Sequence, residues 1–350
     1  MPDVPTARWV RRVRRVRSWR AQFDPWRRLE EVAARSDVRV RGRNPAHLGV
    51  RIVRRALEVR VAGLAAEIGY YLVVSLLPLI TMLGASFGVL RTVLADATVD
   101  RMQDSLTAAM ETVFSPRVAG DFAVPLVRQL LEQEQVGLAL GSVLAALWLG
   151  SRVFRAAVRA LGEAYRTPER RNVLELWALG FLFTLAAVVV TAVFLALAVV
   201  GPLLGGGFRL ADSLGVGPGF QTAWSLGRWP VLVLLVVAFL AWLYQVGHNA
   251  DTRWRDSLPG AVLATAGLLV LAAVFRQYLE VAGPRSPDLA GGGQALQVVG
   301  EFIGSALAVV LFGWLASIVV LAGGVFNAEW QASGAGREQE GAGAGAREPG

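Results

Sequence analysis

The 350-residue chain is 54% hydrophobic and only 18% charged, and its mean hydropathy is positive, which excludes an ordinary water-soluble globular domain. All 35 basic residues are arginine, the net charge is +8 and cysteine is absent, which excludes disulfides, iron–sulfur clusters and thiolate chemistry. The two histidines, His47 and His248, are too few and too far apart in sequence for a His-rich metal centre, and no cofactor is expected.

The first 60 residues carry 17 arginines and no apolar stretch long enough for a signal-peptide core. Asp24-Pro25 and Asn44-Pro45 read as helix starts, and Leu48, Ile52, Ala56 and Val59 form an apolar stripe among arginines. Basic amphipathic helices of this kind lie on anionic lipid, with Arg51, Arg54 and Arg55 as headgroup contacts.

Six apolar runs follow, at about 68–90, 136–150, 174–204, 229–244, 258–275 and 302–326. A hydrocarbon core of about 30 Å needs roughly 20 helical residues, so the first, third and sixth qualify directly. The second is short, but Arg152, Arg155 and Arg159 follow at helical spacing, where long side chains reach headgroups while the helix continues towards Tyr165. The fourth is extended by Trp229 and Tyr244, which suit an interface. Before the fifth, Asp256 or Ser257 is placed to cap a helix, with Pro259 in the first turn.

The predicted architecture is therefore an all-α integral membrane protein, a bundle of six transmembrane helices. Segments on one side of the spans hold 27 arginines and those on the other hold eight. The positive-inside rule then puts both termini in the cytoplasm. The connector 91–135 is acidic with apolar residues at helical spacing and reads as a helical insertion on the outer face. The Gly- and Ala-rich tail 331–350 reads as disordered. Small-residue pairs at Gly84/Gly88, Gly137/Gly141 and Gly300/Gly304 suit close helix packing, with self-association as a second use.

Candidate functional residues cluster in the first span. Pro78 removes a helical hydrogen bond and frees the Val74 carbonyl, with the Ser75 hydroxyl at hand to re-satisfy the backbone. Tyr70 and Tyr71 stand near the cytoplasmic end. Glu67, one turn before Tyr71, is the foremost polar candidate, with Arg253 or Arg255 as its expected partner. The Ala65-Ala66-x-x-x-Tyr70-Tyr71 and Ser75-Leu76-x-Pro78-Leu79 elements resemble the opening of the YihY/virulence factor BrkB family of bacterial inner-membrane proteins. The resemblance continues through Arg253-Trp254-Arg255-Asp256-Ser257-Leu258-Pro259-Gly260, Phe275, Tyr278, Trp314 and Gly323-Gly324-x-x-Asn327-Ala328-Glu329. This chain departs from the family pattern at Glu67, at Gly247-His248-Asn249-Ala250-Asp251, and at Gly291-Gly292-Gly293 with Glu301.

The resemblance implies a cytoplasmic-membrane protein in a family once mislabelled as ribonuclease BN, with transport suggested for some members. Scattered carboxylates and two distant histidines do not suit phosphodiester hydrolysis, so neither an enzyme nor a nucleic-acid partner is expected. The preferred expectation is a carrier of a small solute or amphiphilic lipid, with Glu67, Tyr70, Tyr71, Ser75, Pro78, Arg253, Asp256, Trp314, Asn327 and Glu329 along the substrate path. Arg152, Arg155 and Arg159 join the headgroup set. The alternative is an envelope scaffold or stress-resistance factor that acts through protein partners.

Overall fold

The computed structural model describes residues 25–35, 44–93, 136–195, 197, 219–248, 253–282 and 294–345. Among them every regular element is helical. The order is α1 (Pro25–Ala34), α2 (Pro45–Glu58), α3 (Val61–Val93), α4 (Val136–Tyr165), α5 (Val173–Leu195), α6 (Gly219–Gly247), α7 (Trp254–Ala282) and α8 (Gln294–Gly345). The predicted outer insertion lies, from residue 94 to 135, outside the described residues.

Two compact units are formed, one by Met1–Val59 with Ala328–Gly350 and the other by Arg60–Asn327. In the first, Asn44 caps α2. Its side-chain oxygen accepts from the N–H groups of Ala46 and His47, filling two of the orphan donors of a helix start. Its amide nitrogen donates to the Ala33 carbonyl at 2.8 Å, so one side chain joins the end of α1 to the start of α2. Arg54 bridges Glu30 on α1 and Glu58 on α2.

In the second unit, α4 to α8 each contain a segment long and apolar enough to cross a membrane. Pro45–Glu58 and Val61–Leu76 are long and apolar enough only when taken together, so the described residues hold five or six candidate spans. The spans bury only 17–33% of their most apolar windows within the chain, leaving most of each surface for lipid. Helices also outrun the apolar runs. Val136–Tyr165 is unbroken through all three arginines, and α6 starts ten residues before Trp229 and passes through Pro230. The backbone of α8 stays helical to Gly345, into the stretch where composition favours disorder.

Packing inside this unit relies on aromatic rings and on glycines that admit a neighbouring helix. Phe154 on α4, Phe183 on α5, and Phe239 and Trp242 on α6 form one ring cluster, with centroids 4.6–6.5 Å apart. Leu161 of α4 inserts against Gly247 of α6 and Gly324 of α8. Of the glycines singled out by spacing, Gly141 and Gly300 have nothing within 4 Å of an added β-carbon. Close crossings are made at Gly247, Gly260, Gly323 and Gly324, because a contact needs a small residue facing a helix and spacing along one helix does not say what it faces.

Candidate functional site

Two polar regions stand out in the Arg60–Asn327 unit. The first is a face built by α3, α4 and α5. Arg152, Arg155 and Arg159 follow one another at helical spacing on α4, so their side chains share one flank. Arg159 pairs with Glu67 of α3 at 2.6 Å, both half-exposed. This corrects the expected partner: Glu67 meets the α4 arginine and not Arg253 or Arg255, because α3 packs along α4 throughout this stretch.

The other two guanidiniums face rings. Arg155 lies over Trp177 of α5, 3.8 Å from the ring centroid, and donates to the Ser151 carbonyl. Arg152 stands between Tyr71 and Trp148, 5.6 and 5.9 Å from their centroids, and its buried Nε has no hydrogen-bond partner. Tyr70 stacks edge-on against Tyr71 and points outward. Trp314 of α8 fixes the other flank of α3. Its indole N–H donates to the Ala62 carbonyl at 3.0 Å, and Gly69 lies against its backbone. The Ser75 hydroxyl donates to local backbone, the Leu72 carbonyl three residues back at 2.7 Å, where its rotamer reaches on a continuous helix. Pro78 is inside α3.

The second region is a buried clasp where α6, α7 and α8 meet. Asn327 is fully buried; its oxygen accepts from the Gly260 N–H at 2.7 Å and its amide donates to the Ser257 carbonyl at 2.8 Å. Gly260 and Gly323 must be glycine here: a β-carbon on Gly260 would stand 2.3 Å from the Gly323 carbonyl oxygen. The Ser257 hydroxyl donates to Gln245, and the Tyr244 hydroxyl donates to the Val320 carbonyl at 2.6 Å. Because α7 already begins at Trp254, Asp256 lies within its first turn and Pro259 beyond it, one turn later than expected. Arg253 precedes the helix and is exposed.

The C-terminal carbonyls of α6 are closed off one by one. His248 bonds through Nδ1 to the Tyr244 carbonyl, Arg171 donates to that of Val246, and Thr167 to that of His248. The His248 ring is buried and stacked on Tyr165, with centroids 4.0 Å apart. The Tyr165 hydroxyl lies by the Asn327 amide without a full hydrogen bond to it. Burial pushes the His248 imidazole below its usual range; the Tyr244 carbonyl opposes this and the Arg171 cation adds to it. Its place in the clasp was not legible beforehand. The only signal was an uncharged, ring-bearing polar residue just beyond an apolar run.

The remaining candidate, Glu329, belongs to the other unit. It is buried and paired with Arg51 at 2.6 Å. The headgroup candidates Arg54 and Arg55 are both paired with Glu58.

Apolar helices of spanning length, regular structure that is all helical among the described residues, and arginines backed by aromatic rings define a multi-pass membrane protein. The family described as virulence factor BrkB matches residues 52–347, and the chain belongs to that family. It is 28% identical over 266 residues to a Bacillus subtilis (strain 168) protein named as ribonuclease-like, YfkH, an overlap covering 75% of this chain and 88% of the relative. No solved structure matches the chain. Among the described residues, no three histidine, aspartate or glutamate side chains are grouped to hold a metal ion.

Proposed function

We propose that this chain is a carrier in the bacterial cytoplasmic membrane, with both termini in the cytoplasm, that moves or presents a small solute or amphiphilic lipid without catalysing a covalent reaction. The observation that carries the reading is the α4 arginine series. At 1.5 Å per residue, Arg152 stands about 10 Å deeper along the helix axis than Arg159. Three guanidiniums thus descend from the interface along a span, with a single carboxylate, Glu67, paired to the outermost. Charge within a span is costly and is retained where it serves a polar path. The topology rests on the arginine asymmetry between the two sides of the spans. Anionic lipid at the cytoplasmic face is the natural partner of the arginine-rich surface.

A leaflet-exchange assay tests this. Purified protein is placed in phosphatidylcholine vesicles containing a trace of headgroup-fluorescent phosphatidylglycerol, and a membrane-impermeant reductant is added. Loss of fluorescence beyond the outer leaflet's share, absent from protein-free vesicles, supports a lipid carrier. Accumulation of a solute inside sealed vesicles in a parallel uptake screen supports a solute carrier. Neither activity, together with a stoichiometric protein companion from the native membrane, would replace this reading with the scaffold.

A further inference from the structure

Six arginines are placed to meet lipid, but the structure divides them. Arg51, Arg54, Arg55 and Arg159 each already face a carboxylate at 3.4 Å or less. Among the described residues, Arg152 and Arg155 have none within ion-pair distance. Both are only half-exposed and lie on a span, where an unneutralised guanidinium is disfavoured. Arg155 uses its Nε on the Ser151 carbonyl and its face on Trp177. Arg152 is the incomplete one: Tyr71 and Trp148 flank its charge, and its buried Nε donates to nothing.

We infer that Arg152, with Arg155 one turn away, forms a site for a single phosphate oxyanion held about two helical turns below the Glu67–Arg159 pair. A planar guanidinium offers paired donors that match two phosphate oxygens, and the half-exposed Arg152 and Arg155 bring two of them to one flank of α4. Away from bulk water such a contact is stronger, and the anion's own tail or the surrounding lipid covers the rest. The Glu67–Arg159 pair marks the outer limit of the site, because Glu67 neutralises the arginine nearest the interface and repels a second anion there. The phosphate comes from a net-anionic lipid headgroup or from a free phosphate; a zwitterionic headgroup brings its own cation against the two arginines and is disfavoured. This deepens the carrier reading by naming its substrate class and rests on that reading for any movement of the ligand.

The test is native mass spectrometry of protein in phosphatidylcholine nanodiscs containing a minor fraction of phosphatidylglycerol. Wild type is expected to retain one phosphatidylglycerol per chain in preference to phosphatidylcholine. Arg152→Gln lowers that occupancy about tenfold, the loss of a charge-assisted hydrogen-bonded contact. Arg152→Lys, which keeps the charge without the fork, falls between. Arg276→Gln, which removes an exposed pair on α7, leaves occupancy at the wild-type level. Displacement of the lipid from wild type by millimolar inorganic phosphate identifies free phosphate as a competent source; resistance to it identifies the headgroup. Either result supports the site. Equal retention of both lipids by wild type, with no binding of inorganic phosphate, overturns it without any variant having to fold. So does unchanged occupancy in a monodisperse Arg152→Gln protein. Binding without leaflet exchange would leave the site standing and remove the carrier.

Discussion

The clasp on α6–α8 and the arginine face on α3–α5 use polar residues in opposite ways. In the clasp, Asn327, Ser257, Tyr244 and His248 are buried and hydrogen-bonded, mostly to backbone groups of a neighbouring helix or their own. On the arginine face the groups are half-exposed, meet rings more than oxygens, and leave a donor unfilled. A buried network of this density fixes helices in one arrangement, although the Tyr165 hydroxyl and one Arg171 nitrogen beside it have no hydrogen-bond partner. An under-satisfied cation in the same membrane is where binding free energy remains to be gained. Stability and recognition are therefore separable in this chain, and substitutions should tell them apart.

The largest effect is expected at the α7–α8 crossing. Gly260→Val drives a side chain into the Gly323 carbonyl and should cost about 3 kcal/mol or more, seen as loss of a monodisperse folded peak on size exclusion. Asn327→Ala leaves the Gly260 N–H and Ser257 carbonyl without their partner and should lower stability by about 2–3 kcal/mol, read as a fall in the thermal midpoint in detergent. If Asn327→Ala instead left the midpoint unchanged while abolishing ligand retention, the contrast drawn above would be wrong.

Arg152→Gln should do the reverse, with ligand occupancy down about tenfold and a thermal midpoint close to wild type. His248 gives the clasp a pH signature. Its folded-state pKa is depressed, so the unfolded chain takes up a proton first as pH falls. Stability is then unaffected well above the ordinary histidine value of about 6.5 and declines below it. A thermal midpoint that drops from pH 7.5 to 5.5 in wild type should be nearly flat over that range in His248→Gln. Glu67→Gln is the mildest change. The Glu67–Arg159 pair is half-exposed, so its loss should alter stability by no more than about 1 kcal/mol, within the scatter of a midpoint measurement.

The spans were legible because the lipid phase imposes a length and an apolarity that a single sequence displays directly. Even there the boundaries were short. The continuation of α4 to Tyr165 was legible from the spacing of its arginines, but the residues from Gly219 that lead into α6 are helical without raising hydropathy. Partners were less legible. Glu67 was matched with Arg253 or Arg255 by side of the membrane, whereas contact depends on which helices are neighbours, and α3 packs along α4. Asn327 stands out through its motif, but beside Glu329 as a substrate-path candidate. The structure gives it a separate task on α7 and gives Glu329 to Arg51. His248 was discounted because two histidines cannot make a metal site. Its actual role, a ring that bonds its own helix and stacks on Tyr165, leaves no spacing pattern to find.

The near-contact of Gly260 with Gly323 also limits how this protein can move. Two backbones in touch, with Asn327 bonded across the junction and the Tyr244 hydroxyl bonded to the Val320 carbonyl, cannot slide past each other by a residue without a collision. Around this crossing, α6, α7 and α8 form a single stiff body. Any relative movement of these helices must pivot away from this crossing.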